Sequence, residues 1–205
     1  MSDSPDLLTR LKAETQDCHQ SLEDGLDIMR PSMQRDEYLA MLVRFLGFVA
    51  PWESALVASM PVSLREFARQ REKTVLLDAD VRFISDGRCA PHNVPQCTID
   101  FPLQSVAQCL GSMYVMEGST LGGRIIGPAM AARFNLSDRR GYAYFDPYGE
   151  RTGSMWKAFK ALATESVPVP DIDQAVMAAR ATFMALESWL VADCLSPRHY
   201  ASSGS

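Results

Sequence analysis

The sequence predicts an all-α fold, a single-domain multi-helix bundle, on three observations. Apolar residues recur at helical spacing along nearly the whole chain, and no segment alternates apolar and polar residues as a half-buried strand would. The chain has 205 residues, 47% of them hydrophobic, which is enough to close one sizeable core. One domain is expected over residues 1–200, with ASSGS at 201–205 as a disordered tail.

The elements follow in order. Ser4-Pro5 opens a first helix, serine as cap and proline at the first helical position, with Leu7, Leu8, Leu11 and Leu22 on its apolar side and Gly25 at its end. A second helix follows Ser32 and carries Tyr38, Leu42, Phe45, Leu46 and Val49, until Pro51 bends or breaks it. Ser63-Leu-Arg-Glu66 is a capping-box pattern opening a helix that runs to Leu77. Residues 85–100, rich in Gly, Pro, Asn and Asp, form a loop. A glycine-interrupted helix spans Leu103 to Phe134 and ends at an Asn/Ser/Asp turn near 135–138. Met155 to Ala163 is helical, Pro168 and Pro170 end it, and Asp171 or Asp173 caps a long last helix through Phe183 and Leu190.

Charge and composition exclude several functions. The net charge is −5 and the pI about 5.2, without a lysine or arginine block, so neither a phosphate track for nucleic acid nor an anionic membrane surface is indicated. The N-terminus lacks the basic-then-apolar signature of a secretory signal, and no run reaches the ~18 uninterrupted apolar residues of a membrane span. A cytoplasmic protein is expected. Five cysteines, an odd number without a CxxC pair, argue against a disulfide framework or a common zinc module. Cys89-x2-His92-x4-Cys97 offers three metal ligands, but DGRCAPHNVPQC is turn-rich and lacks a fourth.

The stretch YVMEGSTLGGR, residues 114–124, carries the chemistry. Gly118, Gly122 and Gly123 each cost a helix about 1 kcal/mol relative to alanine. On a helical wheel Gly111, Gly118, Gly122 and Ala129 share a narrow strip, so one face is almost bare backbone. A bare face admits either another helix or a flat ligand lying on the main chain; the glycines alone favour helix packing. The three histidines are His19, His92 and His199. His19 falls on the side of Leu11 and Leu22, where a lone histidine is usually a hydrogen-bonded core residue. Glu23, however, stands one turn on, placed to take the proton of one ring nitrogen and leave the other free for a metal. Lys12, seven residues before His19, lies on the same face about 10 Å along the axis. A metal-binding imidazole with a cation at that distance suits a metal centre carrying peripheral carboxylates, which is the shape of haem.

With these residues in place the chain resembles the haem oxygenases, most closely the bacterial members that supply biliverdin to bacteriophytochromes or release iron from haem. The resemblance runs from LKAETQDCHQSLE through YVMEGSTLGGR to WKAFKAL and TFMALESWL, and its most specific part pairs Lys-x6-His-x3-Glu with EGSTLGG. It implies haem b, substrate and cofactor at once, sandwiched between a proximal helix and a kinked, glycine-rich distal one. His19 would be the iron ligand and Glu23 its hydrogen-bond acceptor; Gly118, Gly122 and Gly123 would form the distal wall, with room for O2. Lys12 and Tyr114 match positions that contact the propionates, though a solvated lysine and a core tyrosine are the plainer readings of each. Phe159 and Phe183 fit aromatic positions near the pocket and fit ordinary core packing equally well. Lys157, Lys160 and Arg124 are further candidates for propionate or redox-partner contact. Ser119 stands where the animal-type enzymes have aspartate; Ser119, Thr120 and nearby main chain are the groups expected to place distal water. The implied reaction yields biliverdin, ferrous iron and CO. Its electrons would come from ferredoxin or a flavoprotein reductase, since no flavin or nicotinamide fingerprint is present. A haem carrier or sensor with the same pocket is the rival reading, and a helical scaffold packing its glycine stripe on a partner is the third.

Overall fold

A computed structural model describes residues 6–89 and 94–191. Among them are eight α-helices and no strand: α1 Leu7–Glu14, α2 Gln16–Leu26, α3 Arg35–Ser59, α4 Val62–Arg69, α5 Thr74–Ile84, α6 Val106–Phe134, α7 Thr152–Ser166 and α8 Ile172–Val191. The expected cap Ser4, the loop residue His92, the near-terminal His199 and the tail 201–205 lie outside the described residues.

The first expected helix is two. Asp6 caps α1 by accepting from the Thr9 amide at 2.9 Å, and the helix stops at Thr15, whose hydroxyl donates back to the Leu11 carbonyl at 2.7 Å. Such a back-bond bends helices, and α2 restarts at once and runs through Gly25 to Leu26. The predicted helix from Ser63 to Leu77 also divides. Its Ser63/Glu66 box does not form, Pro61 occupies the cap, and the chain unwinds over 70–73, where Arg71 and Lys73 both turn inward to the buried Glu117 carboxylate. By contrast Pro51 does not break α3, and α6 runs without interruption through Gly122-Gly123 and Pro128. α6 starts at a capping box of Ser105 and Gln108 and ends on Asn135 in the left-handed region.

The core is one cluster built around α3, α6 and α8. α3 is long and apolar enough to cross a bilayer, yet Tyr38, Leu42, Phe48 and Val49 on it are fully buried. A directed chain of hydroxyls crosses the core. The Trp52 indole donates to Ser112 Oγ at 2.9 Å, Ser112 lies 2.7 Å from Thr182 Oγ1, and Thr182 donates to the Ala178 carbonyl at 2.8 Å, which leaves Ser112 to donate to Thr182. α8 is the central support, since α2 and α6 both pack on it. α2 is fastened there by Arg180, which grips both Asp17 carboxylate oxygens at 2.8 and 2.9 Å, and by Ser21 donating to Glu187 at 2.6 Å.

Behind α6 the segment 141–148 is held by Asp80, which accepts the Gly141 and Tyr144 amides, each at 2.9 Å. Burial pushes the Asp80 carboxyl from its usual 3.8 up to about 6, although these amides pull the other way. A folded-state pKa above the unfolded one gives a contribution that is fully present below about pH 4 and is lost as pH rises through 6. Asp80→Asn removes that slope and leaves one of the two amides without an acceptor, costing about 1–3 kcal/mol at pH 7. Thermal melts of both proteins at pH 4.5 and pH 7.5 check this: the two Tm values lie closer at the higher pH.

Candidate functional site

The glycine strip divides along its length into two environments. A Cβ on Gly111 would drive into the backbone of Ala175 on α8, and one on Gly123 into the carbonyl of Phe145. These two glycines exist for close main-chain approach. A Cβ on Gly122 would meet nothing, and one on Gly118 only the Trp156 ring at 3.9 Å. Both readings of the bare face therefore hold, on different turns: helix packing at Gly111, an open surface at Gly118 and Gly122. The open surface continues onto Leu121, 42% exposed, and Ile125, 69% exposed. Four residues of one helix thus present bare backbone and uncovered hydrocarbon side by side, a surface suited to a flat apolar ligand.

His19 is on α2 with its side chain 53% exposed, so it is not a satisfied core histidine despite its sequence neighbours Leu11 and Leu22. The bend at Thr15 separates its face from that of Leu11. Its Nδ1 faces Glu23 Oε2 at 3.5 Å, too long for a tight hydrogen bond, and no described group bonds its Nε2. The edge of its ring meets Phe183 of α8 at right angles, 5.7 Å between centroids. Phe183 is 4% exposed and so serves both as core and as the stop that sets the imidazole plane.

On the α7 side, Tyr114 lies against Trp156 with centroids 5.6 Å apart, and Trp156 stacks on the fully buried Phe159 at 5.4 Å. Burial raises the Tyr114 hydroxyl pKa above its usual 10, which keeps it a neutral hydrogen-bond donor. Lys160 sits over the Trp156 ring at 5.7 Å. Lys12, Arg124 and Lys157 are exposed. Ser119 is exposed and donates to the Met116 carbonyl at 3.0 Å; Thr120 is buried and donates to the Glu117 carbonyl at 2.7 Å. Trp156, which borders Gly118 and Tyr114, is a neighbour of the open face that sequence reasoning missed. The available signal was its place three residues before Phe159 and four before Lys160, on the same helical face.

An exposed imidazole on α2 and an uncovered glycine face on α6 thus belong to two helices that both pack on α8. The family model "Heme oxygenase" matches residues 5–192, and the chain belongs to the haem oxygenase family. Two solved structures share its fold. The haem oxygenase from Leptospira interrogans is 15% identical over 92% of this chain and 100% of its own, with a TM-score of 0.74. The haem oxygenase from Neisseria meningitidis, solved with NO and CO bound, is 18% identical over 98% of this chain and 99% of its own, with a TM-score of 0.66. No curated protein sequence matches the chain.

Proposed function

We propose that this protein opens haem b to biliverdin, with release of ferrous iron and CO, using O2 and electrons from ferredoxin or a flavoprotein reductase. One observation carries the reading beyond family membership: α8 supports both an exposed His19 and, on α6, a glycine face onto which a Cβ at Gly122 would project freely. Bound haem supplies the iron that takes O2 and the meso carbon that is oxidised.

The residues then have distinct tasks. His19 is the metal ligand through Nε2, and Glu23 holds its Nδ1 proton. Gly118 and Gly122 leave the porphyrin in contact with helix backbone; Gly123 contributes indirectly, by letting segment 141–148 seat against the back of α6. Lys12 and Tyr114 bind propionates, with Lys160, Lys157 and Arg124 supplementing them or meeting the electron donor. Phe159 and Phe183 brace Trp156 and His19. Ser119 and Thr120 already donate their hydroxyl protons to helix carbonyls, so each offers a lone pair to distal water. Thr120 lies about 200° round the helix from Gly118, which puts that task chiefly on Ser119. The reaction is placed in the cytoplasm, where biliverdin is available to a bacteriophytochrome, with no nucleic-acid or membrane partner.

The test is a hemin titration followed by ferredoxin, ferredoxin reductase and NADPH in air, with chromatography of the pigment. The expected result is a Soret band that saturates at one hemin per chain and then decays into one biliverdin isomer. A Soret band that persists through competent reduction would overturn the oxygenase and leave a carrier.

A further inference from the structure

The open face of α6 has a structural problem that its own sequence cannot solve. Residues 118–127 contain four glycines, which together disfavour helix by about 4 kcal/mol relative to alanine, and nothing covers Gly122 from the ligand side. The turn must therefore be held from behind. Glu117 is the residue placed to do so. It immediately precedes Gly118, leaves the helix about 100° round from Gly118 and about 140° from Gly122, away from the open face, and is 2% exposed.

Its carboxylate joins three parts of the chain. Lys73, in the turn between α4 and α5, donates to Glu117 Oε1 at 2.6 Å, and Tyr148, in the segment behind α6, donates to the same oxygen at 2.8 Å. Arg71 Nε approaches Glu117 Oε2 at 3.3 Å, and the guanidinium lies over the Phe67 ring. Lys73 is in turn fixed from α3, where Glu53 accepts its backbone amide at 2.5 Å and the Thr74 amide at 3.2 Å. Two buried carboxylates, Glu53 and Glu117, thus face two buried cations, Arg71 and Lys73. Arg71 Nε and Glu117 Oε2 make no hydrogen bond to each other or to any other described atom, and both residues border a small cleft of about 10 Å³, the room one water needs.

A charge cluster this deeply buried is a poor source of net stability. It is, however, a directional one, since each partner fixes a distance to the backbone carrying Gly118. We propose that Glu117 is a positioning residue: tied to Lys73 and Tyr148, it sets the place of the glycine face against which the porphyrin lies. The ligand's identity in this statement rests on the function proposed above.

Glu117→Gln leaves two buried cations against one carboxylate and is expected to fold poorly, so the informative variant is Tyr148→Phe. That change deletes one donor and keeps the Lys73–Glu117 pair. Hydrogen exchange of the full-length protein without haem is expected to be about tenfold faster at the amides of 118–124, the equivalent of one hydrogen bond to a charged group. Amides of α8 keep their wild-type rates, and hemin binds several-fold more weakly. Exchange that rises equally in α6 and α8, or hemin affinity unchanged despite faster exchange at 118–124, would overturn the proposal. Absence of hemin binding by the wild-type protein would instead end the haem reading, and the exchange rates would still decide whether Glu117 positions the helix.

Discussion

Gly111→Ala is expected to lower the Tm of the haem-free protein by about 10 °C, whereas Gly122→Ala, eleven residues along the same strip, raises it by a few degrees. At Gly111 the new methyl meets Ala175 main chain, and a backbone cannot rotate aside as a side chain can. Restoring contact distances means prising α6 from α8 at the most extensive helix pair in the fold, at a cost of about 3 kcal/mol or more. At Gly122 the methyl enters open space and the helix gains about 1 kcal/mol of intrinsic propensity. The functional consequence runs the other way. Gly122→Leu should leave the melting curve near that of wild type and weaken hemin binding by at least about a hundredfold, because the side chain occupies the surface on which the porphyrin would lie. Melting curves paired with Soret titrations read both effects. A collapse in stability for Gly122→Leu with unaltered affinity per folded molecule would show that this glycine serves packing after all.

The contrast also explains how far the sequence could be read. Helical periodicity gave the fold class because every long element is a helix that buries apolar residues in one core. The elements that went astray did so at Thr15 and at residues 70–73, neither of which carries glycine or proline. In the second case the helix is interrupted by tertiary charge: Lys73 and Arg71 reach Glu117, and Glu53 takes the amides at the start of α5. No local pattern announces such a break. The glycine spacing was legible as a bare strip, yet a helical wheel places Gly111 and Gly122 only about 20° apart. What separates their roles is which neighbour arrives at each turn, and that is a property of α8 and its surroundings. His19 shows the reverse. Its spacing from Leu11 and Leu22 suggested a core-facing residue, and the bend at Thr15 turns it out to solvent, where a ligand can reach it.

His19→Ala is expected to abolish the saturable Soret complex, with hemin affinity falling by at least about a hundredfold, while the Tm of the haem-free protein stays within about 1–2 °C of wild type. The small structural effect follows from exposure. The imidazole is 53% open, its polar partner among the described residues is a similarly exposed glutamate at 3.5 Å, and its ring contact is the perpendicular Phe183; substitutions at such surface positions typically change stability by less than about 0.5 kcal/mol. The large effect on binding follows because the proposed function makes His19 the iron ligand, and it is the one histidine among the described residues. Glu23→Gln is the graded control. Glutamine keeps an acceptor for the Nδ1 proton and loses the charge, and at 59% exposure that charge is already screened by solvent. Its affinity loss should therefore stay at or below about tenfold, the lower end for a partner that orients a metal-binding histidine. Equal losses for the two variants would mean that Glu23 itself holds the metal; full affinity in His19→Ala would mean that hemin is held by the glycine face and propionate contacts alone, without iron ligation from α2.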